Sequence, residues 1–168
     1  MSKENLRDQE AIDKLKSIIN PIDVGMLCTH TLNDKHVHAV PMSTQEVDDD
    51  GNIWFLFSSE SETYQHLLLD KSICLLYSDP GSYQFLSVHA NTEILKVQER
   101  IDKYWNNTIK SWFNKEKDDP TILVLKVIPA EAHYWDTKSN KLVTFFKMAV
   151  SSITGQEMDM SRSGDLKI

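Results

Sequence analysis

The stretch Asp48-Asp49-Asp50-Gly51-Asn52-Ile53-Trp54-Phe55-Leu56-Phe57-Ser58 decides the fold. Its first half is a turn signal, because Asp, Gly and Asn tolerate the positive φ angles that tight hairpins need. Its second half, Ile53 to Phe57, is an unbroken run of large apolar residues that leaves no solvent face. Such a strand is covered on both sides, inside by a core and outside by a helix, a subunit or a ligand. Upstream, Val24 to Thr31 and Val37 to Val47 are apolar and β-branched on either side of the polar turn Asn33-Asp34-Lys35, which reads as a hairpin. Earlier still, Leu6, Ile12, Leu15, Ile18, Ile19 and Ile22 recur among charged residues at helical spacing. That is the pattern of an amphipathic helix, which Pro21 is expected to end.

Downstream, Ser59 or Ser61 can cap a helix running to Leu69, and Ser59 with Glu62 has the spacing of a capping box. Ile73 to Tyr77 reads as a buried strand. Asp79-Pro80-Gly81 turns the chain into Tyr83 to Val97, where Leu86, Val88, Ala90, Thr92 and Ile94 alternate with polar residues, the period of a long strand with one solvated face. Glu99 to Phe113 is helical, as one or two segments. Ile122 to Ile128 is a strand with Leu123, Leu125 and Val127 on one face; Pro129 is expected to interrupt it, and Tyr134-Trp135 offers a continuation. Leu142 to Ile153 is apolar and ends at Gly155. The expected organisation is a single domain over 1–156, with its N-terminal helix, and a disordered polar tail over 157–168. Five or six antiparallel strands with short turns and no strand–helix alternation argue for a barrel, mostly β with peripheral helices, and against a Rossmann-type sheet. The glycines are too far apart for a dinucleotide fingerprint.

The chain has 168 residues, 18 basic and 25 acidic, for a net charge of −7. One domain is the expectation at this length. An acidic balance with no basic run works against nucleic acid as a partner. No apolar stretch approaches the ~20 residues of a membrane span, and the polar start Met1-Ser2-Lys3-Glu4-Asn5 does not suggest a signal peptide, so a cytoplasmic protein is expected. Cys28 and Cys74 each sit in an apolar run and read as core thiols. His36 and His38 would share a strand face, but nothing else has ligand spacing, so no metal site is expected. A nucleophile elbow is absent, which argues against a hydrolase. The aromatics are informative: Trp54, Phe55 and Phe57, then Trp105, Trp112 and Phe113, then Tyr134, Trp135, Phe145 and Phe146. They exceed what one small barrel interior holds, leaving a core, a dimer seam or a flat-ring cofactor pocket as the alternatives.

Several separated motifs, in order, resemble a known family. They are Ala39-Val40-Pro41-Met42-Ser43-Thr44-Gln45-Glu46-Val47, Asp50-Gly51-Asn52-Ile53-Trp54-Phe55, Tyr77-Ser78-Asp79-Pro80, Trp112-Phe113, Lys117-Asp118-Asp119-Pro120, Tyr134-Trp135-Asp136 and Phe146-Lys147-Met148-Ala149. Across residues 8 to 156 the chain looks like the pyridoxamine-5′-phosphate-oxidase-like split-barrel flavoproteins, specifically their general stress protein branch. The resemblance implies a six-stranded antiparallel split β-barrel, a homodimer, and a flavin, FMN first and FAD second, in a groove at the subunit interface. Carried over by position, Met42, Ser43 and Thr44 would face the isoalloxazine ring, beside Pro41. Trp54, Phe55, Phe57 and Ser58 would form the adjacent wall, and Trp112 belongs to the same set. The loop into the next helix would meet the phosphate, where Ser58, Ser59 and Ser61 offer hydroxyls; alternatively these serines simply cap the helix.

The chain departs from the family at two positions. Where relatives commonly carry basic residues, by resemblance the phosphate ligands, this chain has Val40 and Thr63, while Glu60 and Glu62 add negative charge nearby. Ala90 replaces a glycine common in relatives, and His38, Lys35 or Lys147 are candidate substitute cations. Two expectations follow. One is a flavin-binding dimer of reduced affinity, acting as an oxidoreductase of unspecified substrate or as a flavin-dependent stress protein. The other is a non-enzymatic relative that kept the barrel and lost the cofactor, serving as a binding or structural module. Pyridoxamine-phosphate oxidation itself is not expected, because 157–168 holds just one arginine, Arg162, and lacks the basic carboxy-terminal motif of that enzyme.

Overall fold

The computed structural model of the chain describes residues 2–30, 36–137 and 161–168. Among these, the long strands are β3 (Val24–His30), β4 (Val37–Ser43), β6 (Ile53–Ser58), β7 (Ser72–Asp79), β8 (Gln84–Leu95), β9 (Ile122–Thr137) and β10 (Ser161–Lys167). Three two-residue strands, β1 (Ser2–Lys3), β2 (Leu6–Arg7) and β5 (Glu46–Val47), complete the sheet. The helices are α1 (Asp8–Ile22), α2 (Glu62–Leu69), α3 (Gln98–Tyr104) and α4 (Asn107–Phe113). The fold is mostly β with peripheral helices, as expected.

Six strands follow one another through antiparallel ladders in the order β4, β3, β7, β8, β9, β6. The two end strands, β4 and β6, face each other without a ladder, so the described sheet curves but does not close. At one end the gap is bridged by a change of partner. Thr44 N still donates to Asp23 O on the β3 side, whereas Gln45 N donates to Trp54 O on the β6 side, each at 2.8 Å. The predicted single strand Val37 to Val47 is therefore two strands, β4 and β5, broken where it leaves one side of the gap for the other.

The run Ile53 to Phe57 is buried throughout. Ile53, Phe55 and Phe57 point into the main core with Leu27, Leu75, Tyr77, Val88, Leu125 and Tyr134. Trp54 and Leu56 point the other way, into a second cluster with Ile101, Tyr104 and Ile109 of α3 and α4. The outer cover expected for this strand is thus a helix pair. Arg100 lies over the Trp54 ring at 3.5 Å, and Asp48 accepts the indole N–H at 2.8 Å. The same Asp48 accepts from the backbone of Asp50 and Asn52, which fixes the turn that Gly51 completes with φ of 81°. Helix α1 buries Ala11, Leu15, Ile18 and Ile19 in the main core. Each of the Leu and Ile side chains contributes roughly 1.5–3 kcal/mol of burial.

Five further expectations are corrected. Pro21 lies inside α1, which runs one residue further to Ile22, and Leu6 belongs to β2 rather than to the helix. Of the two candidate caps it is Ser61 that serves α2, its hydroxyl accepting from Tyr64 N, so the Ser59–Glu62 capping box does not form. Pro129 does not interrupt β9: it sits opposite Ala90 where the β8–β9 register shifts, a place where a missing N–H is tolerated. The polar stretch 157–168 is not a free tail throughout, because Ser161–Lys167 pairs antiparallel with β9 and parallel with β1 and β2. The turn at Asn33-Asp34-Lys35, the apolar run Leu142 to Ile153, Phe145, Phe146 and Lys147 lie outside the described residues.

Candidate functional site

A cavity of about 620 Å³ opens in the gap between β4 and β6. That size is typical of small-molecule pockets, roughly 300–1,000 Å³. It exists because two end strands of one sheet are held apart. Strand β4 pairs with β3 alone among the described strands, so its other backbone edge is left without a ladder partner. Such an edge is a row of donors and acceptors available to a ligand.

One wall is Val40, Pro41, Met42 and Ser43 from β4, joined by Asp23 and Val24 at the start of β3. The opposite wall is Leu56, Phe57 and Ser58 at the end of β6, followed by Glu60, Ser61 and Thr63 on the way into α2. Helix α4 supplies the rim through Ile109, Trp112 and Phe113. Trp112 is 75 % exposed, an indole that the described protein surrounds on little of its surface. Phe113 stacks on Trp105 with ring centres 6.0 Å apart, which fixes that corner.

Nine of the residues expected at a flavin site line this one cavity: Val40, Pro41, Met42, Ser43, Phe57, Ser58, Ser61, Thr63 and Trp112. Others are held elsewhere. Phe55 is fully buried in the main core, and Trp54 fills the second cluster. Thr44 shares a hydrogen bond with Tyr77 OH at 2.8 Å, in a setting where burial pushes the phenol pKa up. Ser59 N donates to Thr121 O, tying that loop to β9. His38 lies 3.6 Å from Glu62 and edge-on to His66, whose ring bonds Thr29, so its position is set by α2. Lys147 lies outside the described residues.

Of the charged lining, Glu60 was named from the sequence, while Asp23 and Lys115 were not. Asp23 and Glu60 bring carboxylates, and Lys115 brings an ammonium. Lys115 Nζ donates to Glu60 Oε2 at 2.6 Å and to Thr121 Oγ1 at 2.8 Å, with Asp119 at 3.8 Å; the Glu60 bond holds its pKa above the ordinary lysine value. No local motif announces this group. Its signal is the fold bringing the residue after α4 beside the loop before α2. Among the described residues no group of three or more His, Cys, Asp or Glu is placed to hold a metal ion, and no helix is long and apolar enough to cross a membrane.

The open six-strand curve with a cavity in its gap defines a split-barrel protein, and comparison with known proteins gives the same class. Residues 10–159 match the pyridoxamine 5′-phosphate oxidase-like family. The chain belongs to that family. A protein described as general stress protein 26 from Jannaschia sp. CCS1 shares 22% identity over 95% of this chain and 96% of its own, with a TM-score of 0.75. The general stress FMN/FAD binding protein of Xanthomonas citri shares 24% identity over 79% of this chain and 93% of its own, with a TM-score of 0.66. General stress protein 26 of Bacillus anthracis str. Sterne shares 20% identity over 73% and 92%, with a TM-score of 0.64. At these identities the likeness is one of fold. No match was found among curated proteins.

Proposed function

We propose that this chain is a flavin-binding split-barrel protein that works as a homodimer, holding its ring in the β4–β6 cavity. The observation that supports the reading is that Val40 and Thr63, the two positions that the resemblance assigns to the phosphate, line one cavity together with Pro41, Met42 and Ser43. The residues suit the ring. Pro41, Met42, Phe57 and Trp112 offer apolar surface, and the open edge of β4 offers backbone groups to the polar rim of a heterocycle. When bound, a flavin supplies the electron-transfer chemistry. The chain's own part is to orient the ring against β4 and to exclude water with Trp112 and Phe113. An oxidoreductase of unspecified substrate is the activity this supports. Pyridoxamine-phosphate oxidation is a poor match, since Arg162 is engaged by Glu4 at 3.1 Å and Asp136 at 3.4 Å.

Dimerisation is supported by an apolar strip on the outer face of the sheet. Val24, Met26 and Leu76 are 47, 39 and 43% exposed on the neighbouring strands β3 and β7. A cytoplasmic, reducing setting completes the reading, with Cys28 and Cys74 opposite one another as free thiols. By the family resemblance alone FMN comes first and FAD second, each with lower affinity than in relatives with both basic residues. The test is the visible spectrum of the purified protein, where bound oxidised flavin absorbs at about 450 nm, followed by fluorescence titration with FMN, FAD and riboflavin. A colourless protein that alters none of the three emissions removes the flavin.

The second reading, a relative that kept the dimer and lost the cofactor, is favoured specifically by Val40, Thr63 and the Glu60 carboxylate in the same cavity. Here Val40→Arg with Thr63→Lys creates or tightens FMN binding in a parent that lacks it. A double variant that binds no better than the parent removes the electrostatic explanation.

A further inference from the structure

Resting on the flavin reading above, we propose that the cavity selects a flavin without its phosphate, a flat ring carrying a neutral polyol as in riboflavin, over FMN. Three sets of observations converge on this chemistry. The first is charge. Two carboxylates, Asp23 and Glu60, face the cavity with one ammonium among the described lining residues, and that ammonium, Lys115, is held by Glu60, Asp119 and Thr121. A phosphate monoester brings nearly two further negative charges into this field, and a polyol brings none.

The second concerns donors. A phosphate accepts hydrogen bonds, and several donors of the loop that would meet it are already engaged. Ser61 Oγ donates to Ser58 O at 2.7 Å and accepts from Tyr64 N at 3.2 Å. Ser58 Oγ accepts from Glu60 N at 3.1 Å, and Ser61 N donates to Ser58 O. The first turn of α2 carries Glu62, which already complements the helix dipole.

The third is the chemistry that is left over. The Asp23 carboxylate, reached by Ser43 Oγ only at 3.4 and 3.5 Å, and the Glu60 oxygen that Lys115 does not engage are acceptors, and the Gln45 amide, whose Nε2 donates to Ser43 O, has its carbonyl oxygen for a further bond. Acceptors match the O–H groups of a polyol chain. They repel a phosphate.

The experiment is a fluorescence titration of the full-length protein with riboflavin and with FMN, each at low and high salt. Riboflavin is expected to bind tighter by on the order of tenfold. Raising salt from about 0.05 to 0.5 M screens the repulsion, so FMN affinity rises while riboflavin affinity stays level. The variant Glu60→Gln removes a carboxylate and releases Lys115, and is expected to close most of the gap between the two ligands. FMN binding tighter than riboflavin, or FMN affinity falling with salt, overturns the selectivity while leaving the flavin site in place. A riboflavin-to-FMN ratio unchanged in Glu60→Gln also overturns it. Binding of neither probe overturns this inference and the flavin reading together.

Discussion

Replacing Lys14 with Met tests how α1 is fastened to the sheet. The Lys14 ammonium pairs with the Asp136 carboxylate across α1 and β9, and their side chains are only 10 and 7% exposed. Lys14 also lies over the Tyr134 ring, 5.0 Å from its centre. Burial alone would raise the Asp136 pKa, but the bonds from Lys14, Gln84 and Thr137 bring it below the usual carboxylate value. Removing one member of a buried ion pair typically costs about 3–5 kcal/mol, because the other charge stays behind unpaired. Here Asp136 keeps Thr137 N at 2.7 Å, Gln84 Nε2 at 3.2 Å and Arg162 Nη2 at 3.4 Å, so some of that loss is offset. The expected destabilisation is about 2 kcal/mol, allowing ~1.5–3 kcal/mol for one charged hydrogen bond. In urea that moves the midpoint by about 1 M, and in a thermal melt by roughly 4–8 °C. The pH dependence adds a sign. A carboxylate depressed in the folded state contributes stability that is present above its unfolded value of about 3.9 and is lost as pH falls through the folded value. Without Lys14 the folded pKa rises, so the loss starts at higher pH. At low pH the difference from the parent closes, since neutral Asp136 no longer needs a cation. A variant within ~0.5 kcal/mol of the parent at pH 7, or a gap that widens on acidification, refutes the reasoning.

A β-carbon at Gly25 would stand 2.7 Å from the buried Tyr77 ring, so Gly25→Ala is expected to cost roughly 1–3 kcal/mol and to change the near-ultraviolet circular dichroism as Tyr77 shifts against Thr44. Asp48→Ala strips acceptors from Trp54, Asn52 and Asp50 at once. It should lower stability by about 2 kcal/mol at pH 7 in urea denaturation. Burial opposes the Asp48 charge, but those bonds hold its pKa below the usual carboxylate value, so the gap to the parent narrows as the pH drops through it. Cys28 is buried and burial pushes its thiol pKa up, while Cys74, its register partner, is half-buried. Iodoacetamide followed by peptide mapping should therefore find Cys74 alkylated first, and equal rates would contradict this placement.

What could be read in advance was what side chains alone decide. The run Ile53 to Phe57 announced a strand covered on both faces, because no arrangement of five apolar residues leaves one face to water. The alternation from Leu86 to Thr92 announced its buried face for the same reason. Strand β10 was missed because its sequence, Ser-Arg-Ser-Gly-Asp-Leu-Lys, buries little beyond Gly164 and Leu166; it is held by backbone pairing on both sides, which leaves no hydrophobic period. Gly164 is its one cue, since a β-carbon there would lie 1.7 Å from Glu4 O. At the cavity, the β4 wall and the serines were visible as a motif. Glu60 was visible as a charge beside those serines, whereas Asp23 and Lys115 became lining residues through tertiary approach, which local pattern does not encode. Trp54 and Phe55 were assigned to the wall by motif position, yet the cavity is lined only from Leu56 to Ser58 at the end of β6, and the two aromatic side chains pack one step earlier in the second and main clusters.

The pairing of β10 with β1 and β2 has a consequence for how the molecule is made. Glu4 N donates to Ser163 O at 2.8 Å, and Tyr134 OH donates to Glu4 O at 2.9 Å, contacts between residues far apart along the chain. On a ribosome adding ~5–20 residues per second, the segment preceding α1 waits roughly 10 s for its partner strand. Throughout that interval the apolar stripe of α1 can be shielded by chaperones or by early contacts with β3, but the edge beside it stays unsealed. Contacts of such long range also place the rate of folding among the slower single domains, in milliseconds to seconds. The strand with the least hydrophobic sequence is thus the one whose arrival seals the edge beside α1.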